Sequence, residues 1–104
     1  MKKPLPDWLV LLVWRSLLGE IYPSIRAIAI GFDEDYCLLI RYYLDREPID
    51  MDHESLDVLA SNVDAGIGQQ SITRIEIDCQ FAGVSFGALD ALDGFIYCRR
   101  EYDL

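Results

Sequence analysis

Two apolar runs, Ile25–Phe32 and Tyr36–Leu44, follow one another with only Asp33-Glu34-Asp35 between them, and this pairing constrains the fold most. Side chains alternate across a strand, so Ile28, Ile30 and Phe32 fall on one face of the first run and Ala27, Ala29 and Gly31 on the other. In the second run Tyr36, Leu38, Ile40, Tyr42 and Leu44 share a face, with Cys37, Leu39, Arg41 and Tyr43 opposite. Three polar residues suit a hairpin turn. Strands apolar on both faces must be covered on both, so the pair belongs in the middle of a sheet.

The flanking patterns are helical. Residues 7–20 place Leu9, Val13, Leu17 and Glu20 along one side, with Leu11, Leu12 and Leu18 widening the apolar face. Asp7 is the expected N-cap, and Gly19 and Pro23 end the segment. A helix this apolar, carrying Trp8 and Trp14 as well, is either deeply packed or partly an interface. A second helix is expected from about Asp50, where Asp50, Asp52 and Glu54 meet the positive end of the helix dipole. Leu56, Leu59, Val63 and Ile67 form its buried stripe, and Gly66 and Gly68 close it.

Ile72 to Phe81 alternates cleanly. Thr73, Ile75, Ile77, Cys79 and Phe81 face one way, and Arg74, Glu76, Asp78 and Gln80 the other. A loop over 82–93 and a last strand from Phe95 to Tyr102 complete the chain. The order α-β-β-α-β-β, with strands arriving in pairs, predicts an α+β fold: an antiparallel four-stranded sheet packed by two helices. Residues 1–104 read as a single domain, since the connections are short and no linker composition interrupts them.

Composition narrows the function classes. Of 104 residues, 52% are hydrophobic, enough to build one core, and the net charge is −9. Such a charge repels nucleic-acid phosphates and anionic membranes and attracts basic proteins, so no direct nucleic acid and no membrane is the expectation. Lys2 and Lys3 precede an apolar stretch, Leu9–Trp14. Pro4, Pro6 and Asp7 interrupt the approach, Arg15 ends it, and no small-residue cleavage site follows, so it does not read as an export signal. Three cysteines, an odd number without short spacing, point to reduced thiols in the cytoplasm.

Catalytic and metal motifs are thin. Gly83-Val84-Ser85-Phe86-Gly87 matches the G-x-S-x-G elbow, but that chemistry needs a histidine after the serine and a larger sheet. The single histidine, His53, precedes the serine. The two glycines are better read as serving a loop with positive φ. His53 is expected to be solvated in an acidic first turn. Cys37, Cys79 and Cys98 lie on three strands that should not converge, leaving buried, inert thiols. No EF-hand spacing links the paired carboxylates, so neither cofactor nor metal is expected, and no enzyme.

Charge distribution carries more information. Between Asp33 and Asp64 stand ten acids and two bases, Arg41 and Arg46. One reading is a solvated face that maintains solubility. The functional reading is a docking face for a cationic protein, where charge speeds encounter and buried aromatics supply affinity. Its expected residues are Tyr42, Tyr43, Asp45, Glu47, Asp50, Asp52, Glu54 and Asp57. Arg99, Arg100 and Glu101 form a mixed group expected to be satisfied within the fold.

Several stretches resemble the small immunity proteins of bacterial contact-dependent-inhibition and related polymorphic toxin systems. The resemblance runs through 26–33 (RAIAIGFD), 39–48 (LIRYYLDREP), 52–55 (DHES) and 92–102 (LDGFIYCRREY). It implies a cytoplasmic inhibitor that binds one toxin domain stoichiometrically, many such toxins being nucleases with basic surfaces. The competing expectation is an acidic adaptor, or a homodimer built through the apolar first helix.

Overall fold

The computed structural model describes residues 4–68 and 72–101. The elements are α1 (Asp7–Ser16), β1 (Ile25–Phe32), β2 (Cys37–Leu44), α2 (Asp50–Ala65), β3 (Arg74–Phe81), a 3-10 turn at Phe86–Ala88, and β4 (Gly94–Cys98). Lys2, Lys3 and Tyr102 lie outside the described residues.

One mixed sheet carries the strands in the order β3-β2-β1-β4. β1 and β2 are its central pair and run antiparallel, from Ile25 opposite Leu44 to Phe32 opposite Leu38. β4 adds antiparallel to β1. β3, expected antiparallel, instead lies parallel to β2, from Cys37 beside Arg74 to Leu44 beside Phe81. The intervening helix is the reason. α2 leaves the end of β2 and carries the chain back to the level where β2 began, so β3 must repeat its direction.

Both helices cover one face. Ile28, Ile30, Leu38, Ile40, Tyr42 and Leu44 meet Leu9, Leu12, Val13, Leu56, Leu59 and Val63 there, all nearly or fully buried. Each fully buried aliphatic side chain contributes about 1.5–3 kcal/mol. A register shift between Ile25 and Ala27 lets Ile25 join the same core while Ala27 faces the other side. Gly66 permits the helices to cross closely, since a Cβ there would lie 2.7 Å from Leu12 Cδ1.

On the opposite face Ala27, Ala29 and Tyr43 are capped by the return loop through Ala82, Phe86, Leu89 and Leu92. Alanines on β1 leave room for that loop, and Phe86 sits 5.2 Å from Phe95. Beyond the loop this face is polar, with Arg41 paired to Asp78 at 2.7 Å.

Some local expectations are corrected. α1 ends at Ser16 and passes into turns, with Gly19 at φ +81°. Its N-cap is Pro6, leaving Asp7 as the first helical residue, where its charge faces the free amides. Tyr36 takes φ +61° in the hairpin turn instead of opening β2. The final strand runs from Gly94 to Cys98; the Arg99 amide still donates to the Arg26 carbonyl at 2.8 Å, and beyond it the side chains of Arg99 and Glu101 form ion pairs.

Candidate functional site

β2 separates the acids that are close in sequence. Asp33, Glu34 and Asp35 sit at one end of it, while Asp45, Glu47 and the start of α2 lie at the other. Eight strand residues span roughly 25 Å, so the two groups act as separate patches.

The expected anchors Tyr42 and Tyr43 are interior residues. Tyr42 is fully buried in the helix-side core, and Tyr43 lies under the return loop, where its hydroxyl donates to the Asp90 carbonyl at 2.7 Å. A central strand buries both of its faces, so both rings are enclosed within the fold. Burial pushes the Tyr42 hydroxyl up to about 12; Glu20 adds to the rise and Ser55 works against it.

Asp52 is also turned inward, at 0% exposure. Its carboxylate accepts from Arg46 Nη1 at 2.7 Å, Arg46 Nη2 at 3.1 Å, the Tyr22 hydroxyl at 2.6 Å and the Ile49 amide at 2.8 Å. Burial raises its proton affinity, but these donors outweigh burial and hold it at about 2. Asp52 therefore organises the start of α2 by accepting the amide that precedes the helix. The Tyr22 phenol is raised, first by burial and then by this carboxylate.

The remaining acids are exposed. Asp45 is paired with Arg99 at 2.7 Å, and Glu47, Asp50, Glu54 and Asp57 stand in solvent around the first half of α2. Among them are three exposed apolar residues that sequence reasoning missed: Ile49, Met51 and Val58, each about half exposed. Their signal was present in the sequence, since Met51 and Val58 fall off the Leu56-Leu59-Val63 stripe and have no place in the core.

Of the expected group Arg99, Arg100 and Glu101, Arg99 pairs with Glu101 at 3.0 Å, and Arg26, which the sequence reading left out, joins Glu101 at 2.7 Å. Arg99 also donates to the Pro23 carbonyl at 2.8 Å, and Arg26 to the carbonyls of Ala82 and Val84 at 2.8 and 2.7 Å. The Arg26 guanidinium, followed by burial's opposing effect and the Arg99 contribution, leaves the Glu101 carboxyl at about 2.

The elbow-like motif is not assembled. Ser85 precedes a 3-10 turn in the return loop on one side of the sheet, whereas His53 belongs to α2 on the other. Gly83 and Gly87 do not adopt positive φ; an added Cβ at Gly83 would lie 3.0 Å from the Phe81 ring. His53 does meet a cysteine: Cys79 Sγ lies 3.6 and 3.7 Å from its two ring nitrogens. Near-equal distances place the sulfur between the nitrogens and off both lone-pair axes, and burial raises the thiol, with Asp52 and Asp78 adding to it. That is a contact without an activated thiolate. Cys98 is exposed and Cys37 and Cys79 are only half-buried, where burial of all three was expected.

No group of three His, Cys, Asp or Glu side chains among the described residues is placed to hold a metal ion. No helix among them is long and apolar enough to cross a membrane. No curated protein matches the chain. The family model described as MafI2 immunity protein matches residues 6–101, spanning every helix and strand above, and the chain belongs to the MafI2 immunity protein family.

Proposed function

We propose that the protein protects by forming a one-to-one complex with a basic, nuclease-type toxin domain, in the cytoplasm, as part of a contact-dependent or related polymorphic toxin system. Family membership supports the toxin partner. The observation that carries the basic character is the charge of −9, with Glu47, Asp50, Glu54 and Asp57 exposed together at the start of α2. A nuclease surface attracts phosphates, and an acidic protein competes for the same field, binding quickly and excluding nucleic acid. Asp45, Glu47, Asp50, Glu54 and Asp57 are the partner-facing acids in this reading. Ile49, Met51 and Val58 take the anchoring role first given to Tyr42 and Tyr43, and Asp52 supports them from within.

The test is co-purification with the toxin domain encoded beside this chain, followed by titration of the complex at low and high salt. A one-to-one complex that weakens as salt rises supports the reading, provided the toxin harms cells when expressed alone. A harmless neighbour that forms no complex overturns it.

A further inference from the structure

α1 and the turn that follows it present Leu11, Trp14 and Leu18 outward at 52, 51 and 78% exposure. Spacings of three and four residues align them in one stripe, opposite the side that buries Leu9, Leu12 and Val13. Single exposed apolar residues are ordinary, but a contiguous set marks an interaction surface.

The stripe continues toward α2. Ser16 to Tyr22 runs back along that helix, tied at one end by Asn62 Nδ2 donating to the Ser16 carbonyl at 3.5 Å. At the other end the Tyr22 hydroxyl meets Asp52 at 2.6 Å. Leu18 and the exposed Ile21 lie between these ties. Helical periodicity puts Met51 and Val58 on the flank of α2 that carries Asn62. A cleft of about 450 Å³ opens beside Leu18 where the helices cross, lined by Leu12, Asn62 and Ala65 together with one cation, Arg15. Asp50 and Glu54 border the surface on α2.

We infer that this helix-layer surface anchors the cognate toxin by receiving an apolar ridge flanked by lysine or arginine. The inference rests on the immunity reading and adds the residues that hold the partner. Charge selects this occupant over a second copy of the chain. A basic partner meets Asp50 and Glu54 with opposite sign, whereas a second copy brings a net charge of −9 against the same carboxylates. The surface also adjoins the acids at the start of α2, so steering and anchoring occur on one side.

The experiment measures association and dissociation rates of the purified, inactivated toxin domain encoded beside this chain, together with the solution mass of the free protein. The variant is Leu18→Ala combined with Val58→Ala, both exposed positions, with the thermal midpoint as a folding control. The expected result is a monomeric free protein, an unchanged midpoint, an off-rate raised about tenfold or more, and an on-rate within about twofold. A complex with an unchanged off-rate overturns the anchor placement and leaves the immunity reading standing. A dimer dissociated by Leu18→Asp without effect on toxin binding assigns the surface to a second copy and overturns the inference. No complex with the unmodified protein overturns both readings.

Discussion

The Arg26 guanidinium grips the Glu101 carboxylate with two near-parallel hydrogen bonds, Nε to Oε2 at 2.8 Å and Nη2 to Oε1 at 2.7 Å. Arg26 is 7% exposed and sits at the register shift of β1, so one buried fork ties a central strand to the end of the chain. Its Nη1 reaches the carbonyls of Ala82 and Val84, fixing the first residues of the return loop as well.

Arg26→Lys keeps the charge but loses the planar fork, and it should lower unfolding free energy by about 2 kcal/mol. Arg26→Ala leaves Glu101 and two carbonyls without that donor and should cost about 3–4 kcal/mol. Urea unfolding followed by tryptophan fluorescence gives both values. Equal stability for Arg26→Lys would show that charge alone suffices.

Acid should destabilise the fold within a defined window. Asp52 and Glu101 both titrate at about 2 in the folded protein, below their ordinary values of 3.8 and 4.5. Between those limits the unfolded chain binds more protons, so their contribution is complete above about pH 4.5 and lost as pH falls toward 2. Urea midpoints measured from pH 2 to 6 should follow that descent. Asp52→Asn should flatten it and cost about 3 kcal/mol at neutral pH, by leaving Arg46 and Tyr22 without their carboxylate.

Tyr42→Phe separates burial from binding. The Tyr42 hydroxyl is buried beside Ser55 without a hydrogen bond of good geometry among the described residues, so removing it should change stability by less than about 1 kcal/mol. Toxin affinity should not change. A large loss of affinity with intact folding would return Tyr42 to the interface.

Glu54→Lys and Asp50→Lys should each slow toxin association severalfold at low salt, with the difference disappearing at high salt. Stopped-flow association rates at two ionic strengths decide the point. Rates matching the unmodified protein would move the docking face elsewhere.

Ser85→Ala should protect cells from the toxin as well as the unmodified protein does, because the sheet stands between Ser85 and His53. Loss of protection by a stable Ser85→Ala variant would reopen a catalytic reading.

The sequence by itself determined where most of the elements lie and how three strands divide their faces. Alternation in 25–44 and 72–81 located three strands and the central hairpin, and the acids at Asp50–Glu54 marked where α2 begins. These features are local, resting on side-chain period and on the charge of a helix end. Tertiary structure decided what depends on crossing distance. The direction of β3 follows from the path of α2, which alternation cannot encode because a strand's pattern reads the same in either direction. The sequence run of ten acids became two patches because a strand lies between them. Within one of those patches, Asp52 turned inward toward Arg46 and Tyr22, a pairing across 30 residues in the case of Tyr22 that no local pattern announces. Tyr42 and Tyr43 became core for the same reason that β2 is central, since helices cover one of its faces and the return loop the other.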